Sequence, residues 1–201
     1  KQSGGRGQYG DCWIRLAPRP RGAGYEFVDS IVGGAIPNKF VPAVDRGIQE
    51  AAVRGVIAGF PLVDFQAECF DGSYHDVDSN EMSFKMAGIL GFRTVAPKAR
   101  PVLLEPLLDV TVLVPADLLG DVMGDLSSRR GQILGTDTEG RLTRIRAIVP
   151  EAEMYKYATT LHSITHGRGT FHLEHHGYAE APPEITAKVA AEHKKDEQEE
   201  E

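Results

Sequence analysis

The order of apolar patterns in the second half of the chain restricts the fold more than any other feature of the sequence. These patterns follow either the two-residue period of a strand or the spacing of an amphipathic helix. They run strand, helix, strand, strand, helix, strand over residues 107–114, 116–128, 132–136, 141–149, 151–165 and 170–176. Within 141–149, Arg144 and Arg146 alternate with core-forming residues, which predicts a strand with a basic outer face. The whole series predicts a ferredoxin-like βαββαβ domain.

The first half predicts a second domain of mixed strands and helices. Strand patterns occupy Asp11–Ala17, Tyr25–Val32 and Leu62–Phe70, and helical patterns occupy Pro42–Arg54 and 79–96. The turn-forming residues 18–24 join the first two strands, so we expect these strands to pair as a hairpin. The helix over 79–96 should bury a wide apolar face that includes Met82, Met86, Ile89, Leu90 and Val95.

Pro97 and Pro101 interrupt the pattern and predict a domain boundary near residue 100. The predicted fold class is therefore α+β with two domains, 1–100 and 101–180. Residues 181–201 follow as a C-terminal helix, predicted over 184–193, and an acidic tail. The chain begins at Lys1 without Met, so we expect it to be a piece of a longer protein.

Composition excludes some classes of protein and leaves others open. The 201 residues carry a net charge of −7 and contain no apolar run long enough to span a membrane. Cys12 and Cys69 both lie in predicted strands, which predicts buried, reduced thiols in a cytoplasmic protein. Basic residues cluster locally in 1–24 and 85–104. Such clusters serve phosphate contacts in some proteins and are ordinary solvated surface in others.

The stretch 71–85 joins a predicted strand to a predicted helix and contains a candidate contact loop. Asp71-Gly72 favours a turn, and Asp78 with Glu81 matches the capping box that starts a helix. Tyr74 and His75 lie between these two signals, in a loop that should be fixed at both ends. An ordinary strand-to-helix connection with an exposed histidine is the alternative.

Neither a catalytic centre nor a metal site is predicted. Ser73, His75 and Asp76 are neighbours in sequence, but a tight loop points neighbouring side chains in different directions. The second half contains five histidines, His162, His166, His172, His175 and His176. At most two of them can converge on one strand face, whereas a zinc site needs three or four ligands. Residues 1–10 are predicted to be a flexible lead-in segment and do not match a phosphate-binding loop.

The remaining interpretation from the residues is contact with a large partner such as RNA. It depends on two marked loops, 33–38 and 71–77, on the basic N-terminal segment, and on Arg129 and Arg130 at a helix end. Aromatic and imidazole side chains stack on unpaired bases in RNA recognition. Two alternatives stay open: chemistry at the His75 loop, and a metal-stabilised interaction domain that uses the second-half histidines.

Several segments closely resemble the C-terminal part of bacterial translation elongation factor G. They are KQSGGRGQYG, FVDSIVGGAIP, GSYHDVDSNEMSFK, PVLLEP, GDVMGDLSSRRGQILG and residues 154–159, in the same order as in that family. The resemblance extends from Lys1 to about Pro183. Trp13, the turn 166–169, the histidine-rich strand 170–178 and the acidic tail are less usual for the family. The resemblance therefore leaves open a paralogue that acts in ribosome recycling or in another ribosome-bound step.

The resemblance implies a division of labour between the two halves. Residues 1–100 would be domain IV, with a fold like domain 2 of ribosomal protein S5, and its tip would enter the small-subunit decoding region during movement of tRNA and mRNA. Residues 101–180 would be domain V, facing the GTPase-associated rRNA of the large subunit, with the final helix packed on domain IV. The implied ribosome-binding residues are Gly33, Gly34, Ile36, Pro37, Asn38, Ser73, Tyr74, His75, Asp76, Arg129 and Arg130.

The same resemblance implies that this fragment is not itself an enzyme. GTP hydrolysis, with its GTP and Mg²⁺, would belong to an N-terminal domain outside the chain. The implied partners are the ribosome and the tRNA–mRNA complex. The protein would act as a monomer in the cytoplasm, without contact with a membrane.

Overall fold

The computed structural model describes residues 7–199, which divide into two units. The first unit contains the residues up to Val102 together with the helix Pro183–Glu199, and the second unit contains Leu103–Pro182. Each unit has its own hydrophobic core. Within residues 7–199, no helix has both the length and the apolar character that crossing a membrane requires.

Besides the helix Pro183–Glu199, the first unit contains a three-stranded sheet and two helices. The strands are β1 (Asp11–Pro18), β2 (Glu26–Asp29) and β3 (Phe65–Ser73), and the helices are α1 (Val41–Arg54) and α2 (Glu81–Val95). A 3₁₀ turn, Ala96–Ala99, follows α2. The sheet order is β1-β3-β2, with β1 antiparallel and β2 parallel to the central β3.

The predicted hairpin between the first two strands is wrong, because β3 lies between them. The connecting loop is held by the residue that precedes β3. The carboxylate of Asp64 accepts hydrogen bonds from the backbone N–H groups of Gly22 and Gly24, at 3.0 and 2.8 Å. These bonds lower the pKa of Asp64 below its usual value. The loop is thereby fastened to the start of β3, and β2 lies on the far side of that strand.

The predicted turn at Asp71-Gly72 is also wrong, because β3 continues through it to Ser73. Gly72 pairs with Cys12 of β1 at a point where other groups approach closely. A Cβ atom at Gly72 would lie 2.3 Å from the backbone oxygen of Asp11 and 2.7 Å from Cδ1 of Ile36. Glycine is needed at position 72 because there is no room for a Cβ atom, and not because the chain turns there.

The buried face of α2 differs from the predicted one. Phe84, Gly88 and Phe92 are buried at four-residue spacing, whereas Met82, Met86 and Leu90 are exposed. The exposed set is offset from the buried set by two residues, roughly 200° around the helix. Of the predicted apolar face, Ile89 is buried, so the sequence correctly identified an apolar helix and wrongly assigned most of its buried side.

The second unit has the predicted ferredoxin-like fold. Its elements are β4 (Leu104–Pro115), α3 (Leu119–Ser128), β5 (Gln132–Glu139), β6 (Leu142–Pro150), α4 (Tyr157–Thr165) and β7 (Thr170–Glu180). The sheet order is β5-β6-β4-β7, with every neighbouring pair antiparallel. In β6 the alternation is as predicted: Thr143, Ile145, Ala147 and Val149 are buried.

Three predicted helices have different bounds in the structure. The pattern over 151–165 is split into a 3₁₀ turn, Glu151–Met154, and α4, because Lys156 has a left-handed backbone with φ of 55°. A 3₁₀ turn, Ala116–Leu118, likewise precedes α3. The last helix, α5 (Pro183–Glu199), continues beyond the predicted 184–193.

Close contact between α1 and α2 depends on glycine and is testable. A Cβ atom at Gly88 would lie 2.4 Å from the backbone oxygen of Val44, which cannot move without displacing α1. We expect Gly88→Ala to lower the free energy of unfolding of the first unit by about 1–3 kcal/mol. Trp13 is the sole tryptophan of the chain, so its fluorescence during urea unfolding reports on this unit.

Gly91→Ala is the matched control, since it lies in the same helix and has the same gain in helix propensity. Its Cβ would lie 3.3 Å from Cδ1 of Ile14 and 3.9 Å from Sγ of Cys12, which are both side-chain atoms. We expect this variant to unfold at the same urea concentration as the parent protein or a higher one. Equal losses in the two variants would show that the close helix contact does not limit stability.

Candidate functional site

The loop between β3 and α2 closes on itself through hydrogen bonds around His75. The backbone N–H of Ser79 donates to the carbonyl oxygen of His75 at 3.0 Å, and the N–H of His75 donates to Oγ of Ser79 at 2.9 Å. The backbone N–H groups of Val77 and Asp78 both donate to Nδ1 of His75, at 3.3 and 3.2 Å. Residues 75–79 therefore form a turn that is capped by the imidazole itself.

A second set of bonds ties this turn to the N-terminal segment. Gly7 N–H donates to Oδ1 of Asp78 at 2.8 Å, and Tyr9 N–H donates to the carbonyl oxygen of Asp78 at 2.9 Å. The hydroxyl of Ser79 donates to the carbonyl oxygen of Tyr9 at 2.9 Å. Residues 7–10 had been predicted to be part of a flexible lead-in segment, and instead they form a strap across the loop. Residues 1–6 of that prediction lie outside the described residues.

Ser73 is bonded to this strap and does not form a catalytic arrangement with His75. Its hydroxyl donates to Oδ2 of Asp11 at 2.8 Å. Its oxygen also lies 2.7 Å from the hydroxyl of Tyr9. Since the Ser73 proton is directed to the carboxylate, the Tyr9 hydroxyl is the donor of this second bond. Ser73 therefore joins the end of β3 to the strap.

The start of α2 differs from the prediction that Asp78 and Glu81 would cap it. Asn80 is the N-cap: its side chain accepts from the N–H of Ser83 at 2.9 Å, and the Ser83 hydroxyl oxygen accepts from the N–H of Asn80 at 3.0 Å. Glu81 instead pairs with Arg46 at 3.2 Å. Asp78 therefore does not cap α2, and it bonds to the strap instead. The spacing of residues in the local sequence could not reveal this contact.

The turn leaves a small exposed surface at its apex. Tyr74, Asp76 and Val77 are exposed, and the side chain of His75 is 57% exposed. The backbone below them is fixed by the strap and by the capped start of α2. The apex therefore presents side chains on a supported backbone.

The second predicted loop, 33–38, lies beside the base of this turn. Gly33 and Gly34 have φ values of 68° and 74°, and both are exposed with open space around them. Ile36 is fully buried, and its side chain fills the space above Gly72. Among the predicted contact residues of this loop, Ile36 therefore anchors the loop, while Gly33, Gly34 and Asn38 are exposed and Pro37 is half-buried.

Arg130 is held by two carboxylates of its own unit. It makes a bidentate pair with Glu105 at 2.9 and 2.8 Å, and its Nε lies 3.0 Å from Glu153. The hydrogen bonds to Glu105, followed by those to Glu153, raise the pKa of Arg130 above its already high usual value. The side chain is 29% exposed. Arg130 therefore joins the start of β4 to the turn after β6.

Arg129 is more deeply engaged than Arg130. Its Nε pairs with Asp125 at 2.9 Å, and its Nη atoms bond to the carbonyl oxygen of Glu153 and to Oγ1 of Thr160. The guanidinium carbon lies 5.1 Å from the centre of the Tyr157 ring. Only 16% of the side chain is exposed. The sequence placed both arginines at a helix end and gave no sign of these partners.

The histidines of β7 are distributed among separate partners. His172 lies 3.1 Å from Glu174, His176 lies 3.0 Å from Asp109, and His175 packs edge-on against Tyr178. At a bulge in β7, Leu107 pairs with Gly177 and Leu108 pairs with His175, so the register skips His176. Among the described residues, no three metal-binding side chains come together.

The two cysteines have the environment of core residues. Cys69 is buried and Cys12 is half-buried, and both are free thiols on neighbouring strands. Burial raises the pKa of Cys12 to about 11 and that of Cys69 to about 12. Both groups are therefore protonated at neutral pH and poor nucleophiles.

Comparisons with known proteins agree across both units. The family model for elongation factor G, domain IV, matches residues 1–100, and that for the elongation factor G C-terminus matches residues 102–189. Elongation factor G of Aquifex pyrophilus is 52% identical over 192 residues, which is 96% of this chain and 28% of that protein. A crystal structure from Thermus thermophilus matches with a TM-score of 0.80 at 46% identity, covering 97% of this chain and 29% of that one.

The chain spans less than a third of the length of these two relatives. The matches nevertheless run through both units and include the strapped loop and the ferredoxin-like sheet. The chain belongs to the elongation factor G family and corresponds to domain IV and the C-terminal region of that factor.

Proposed function

We propose that this chain is the ribosome-binding C-terminal region of a translational GTPase that promotes movement of tRNA and mRNA during protein synthesis. In this proposal GTP and Mg²⁺ bind in a part of the protein outside the chain, and the protein acts as a cytoplasmic monomer. Residues 1–100 act as domain IV, 101–180 as domain V, and 181–201 as the terminal helix and tail. The similarity of both units to elongation factor G favours a role in translocation over one in ribosome recycling.

The strapped His75 loop is the observation that carries the proposal. The nine hydrogen bonds described above hold residues 73–79, and four of them join this segment to the N-terminal strap. A loop that is already ordered loses little conformational entropy when it contacts a partner. This property suits a tip that has to occupy the decoding region and exclude other molecules from it.

The chemistry of the apex supports contact with unpaired nucleotides. Tyr74 and His75 offer ring faces and hydrogen-bonding groups, which RNA-binding proteins use on unstacked bases. Gly33 and Gly34 expose backbone in the loop beside the base of the turn, and the open space around them lets a partner approach closely. The proposed contact set is Gly33, Gly34, Pro37, Asn38, Ser73, Tyr74, His75 and Asp76, with Ile36 as the anchor below them.

The second proposed contact is the helix end at Arg129 and Arg130, facing large-subunit rRNA. Both guanidinium groups already have carboxylate partners, so their charge is largely balanced within the unit. We propose that Arg130, the more exposed of the two, offers its outer edge to rRNA, while Arg129 holds the helix end in place.

His75→Ala in the full-length protein tests the tip assignment. We expect tRNA–mRNA movement to slow by about tenfold or more, because the variant loses both the exposed ring and the cap of the turn. Ribosome-stimulated GTP hydrolysis should stay near the parent rate. Rapid-mixing assays of movement and of phosphate release measure the two separately.

His172→Ala is the control for that experiment, because it removes an exposed histidine of the other unit whose ring pairs with the equally exposed Glu174. It should leave movement unchanged. A loss of hydrolysis with movement spared in His75→Ala would refute the assignment of this loop as the tip.

Arg130→Ala tests whether that residue mainly stabilises the second unit. We expect a loss of about 1–3 kcal/mol in the free energy of unfolding of that unit, because Glu105 is left partly buried without its partner. Arg168→Ala, which breaks an exposed 3.5 Å pair with Asp117, should cost almost nothing. Calorimetry of the parent and both variants measures the difference.

The double variant Arg130→Ala/Glu105→Gln separates stability from rRNA contact. It removes the charge of Glu105, the more buried of the two carboxylates that lose Arg130, so we expect part of the lost stability to return. If Arg130 also touches rRNA phosphate, ribosome affinity stays weaker and falls less steeply with salt. Full recovery of affinity along with stability would remove Arg130 from the contact set.

A further inference from the structure

The side chain of His75 is used as a hydrogen-bond acceptor by its own loop. Nδ1 receives the backbone N–H groups of Val77 and Asp78, two and three residues further on. A ring nitrogen that accepts an N–H bond needs its lone pair and cannot carry a proton. Two donors directed at the same atom therefore favour the ring form in which Nδ1 is bare.

Among the polar contacts of the ring within residues 7–199, the one with the carboxylate of Asp78 favours the opposite form. Its Oδ2 lies 3.4 Å from Nδ1, a distance at which a protonated Nδ1 would form an ion pair. Forming that pair would leave two backbone N–H groups without their acceptor, each at the cost of a lost hydrogen bond. The other carboxylate oxygen already accepts from Gly7, which fixes Asp78 to the strap. Nδ1 therefore faces two N–H donors at 3.2–3.3 Å and one carboxylate oxygen, which lies further away at 3.4 Å.

The second ring nitrogen then has a defined role. In a neutral imidazole with a bare Nδ1, the proton is on Nε2, which is a donor only. Within residues 7–199, the hydrogen bonds and the ion pair of this side chain all use Nδ1, and more than half of the side chain is exposed. The ring is thus fixed at one end and presents an N–H group at the other.

We infer that His75 uses Nδ1 as the acceptor for its own loop and donates one hydrogen bond from Nε2–H to an uncharged acceptor of RNA, either a base atom or a ribose hydroxyl oxygen. This inference rests on the proposed function and specifies the chemistry of its tip. A phosphate is the less suitable acceptor, because the carboxylates of Asp76 and Asp78 lie beside the ring in sequence and, for Asp78, in space. The turn itself selects the ring form, through the backbone N–H groups of residues 77 and 78.

Nuclear magnetic resonance tests the ring form directly. Histidine labelled with ¹⁵N in this chain gives long-range proton–nitrogen correlations that distinguish a bare nitrogen from a protonated one. At neutral pH we expect the His75 signal, identified by its absence in His75→Asn, to show a bare Nδ1 and a protonated Nε2. A proton on Nδ1, or on both nitrogens, would overturn the inference.

Paired amide variants in the full-length protein test the use of the donor. The Gln side chain reaches as far as Nε2 and carries N–H donors there, whereas the Asn side chain places its oxygen near Nδ1 and reaches no further. We expect His75→Gln to retain tRNA–mRNA movement about three- to tenfold better than His75→Asn, the effect of one hydrogen bond. Equal rates, or a faster Asn variant, would show that the cap of the turn matters and the outward donor does not.

Salt dependence identifies the acceptor. His75→Lys places a cation at the same position, and contact between a cation and a phosphate weakens steeply with salt. A bond to an uncharged base or ribose atom predicts that His75→Lys moves tRNA and mRNA no faster than His75→Gln at low salt. A Lys variant that is faster at low salt and loses this advantage at high salt would indicate a phosphate acceptor and would overturn that part of the inference.

These outcomes are separable from failure of the proposed function. If His75→Ala moves tRNA and mRNA at the parent rate, the tip assignment itself is wrong. If His75→Ala is slow but the Asn and Gln variants do not differ in the expected direction, the tip assignment stands and only the donor is refuted.

Discussion

The bonds between residues 7–10 and the pair Asp78–Ser79 are the constraint on which the exposed loop depends. The strap runs directly into β1, and the first residue of β1, Asp11, is paired with Ser73 at the end of β3. The loop, the strap and the ends of two strands therefore form one closed circuit of hydrogen bonds. Ordering a free loop of this length costs roughly 1–2 kcal/mol per residue in backbone entropy. Here that cost is met during folding, before any partner is present.

Close approaches below the loop depend on small residues and support the same circuit. Gly72 leaves room for Ile36, which is how loop 33–38 comes to lie beside the turn. Gly88 and Gly47 let the backbones of α1 and α2 approach closely, and α2 begins at the capped Asn80 directly after the turn. The two candidate loops are thus positioned by buried contacts, although their contact residues are exposed.

The predictions succeeded where structure is local and failed where it is set by distant residues. Strand alternation in 141–149 and the order of elements in the second half follow from short-range periodicity, and the ferredoxin-like sheet was predicted correctly. In the first half, Asp71-Gly72 has the local signature of a turn, and only the presence of Asp11 and Ile36 opposite it makes it strand. Asp78 has the local signature of a helix cap, but Gly7, 71 positions away, takes its carboxylate.

The candidate contact residues show the same difference between local and long-range determinants. Tyr74 and His75 are candidates because a polar aromatic ring and an imidazole lie in a loop bracketed by two signals. The structural roles of Tyr9 and Ser79 were missed because they consist of bonds across 64 and 70 positions. Arg129 and Arg130 were selected for their charge alone. The structure gives each of them carboxylate partners, so charge at a helix end did not distinguish a nucleic-acid contact from an internal clamp.

The balance of charge at the apex has a consequence for how such a tip can work. Phosphate contacts by lysine and arginine give strong, salt-dependent affinity for RNA of any sequence. The described apex residues, Tyr74 to Val77, include no lysine or arginine, and the one acidic side chain among them, Asp76, opposes phosphate. In the proposed cycle the tip must enter the decoding region and then leave it. A rigid shape with one or two short-range hydrogen bonds can hold that position while contributing little to overall affinity, so the arm is not trapped on the RNA that it has displaced.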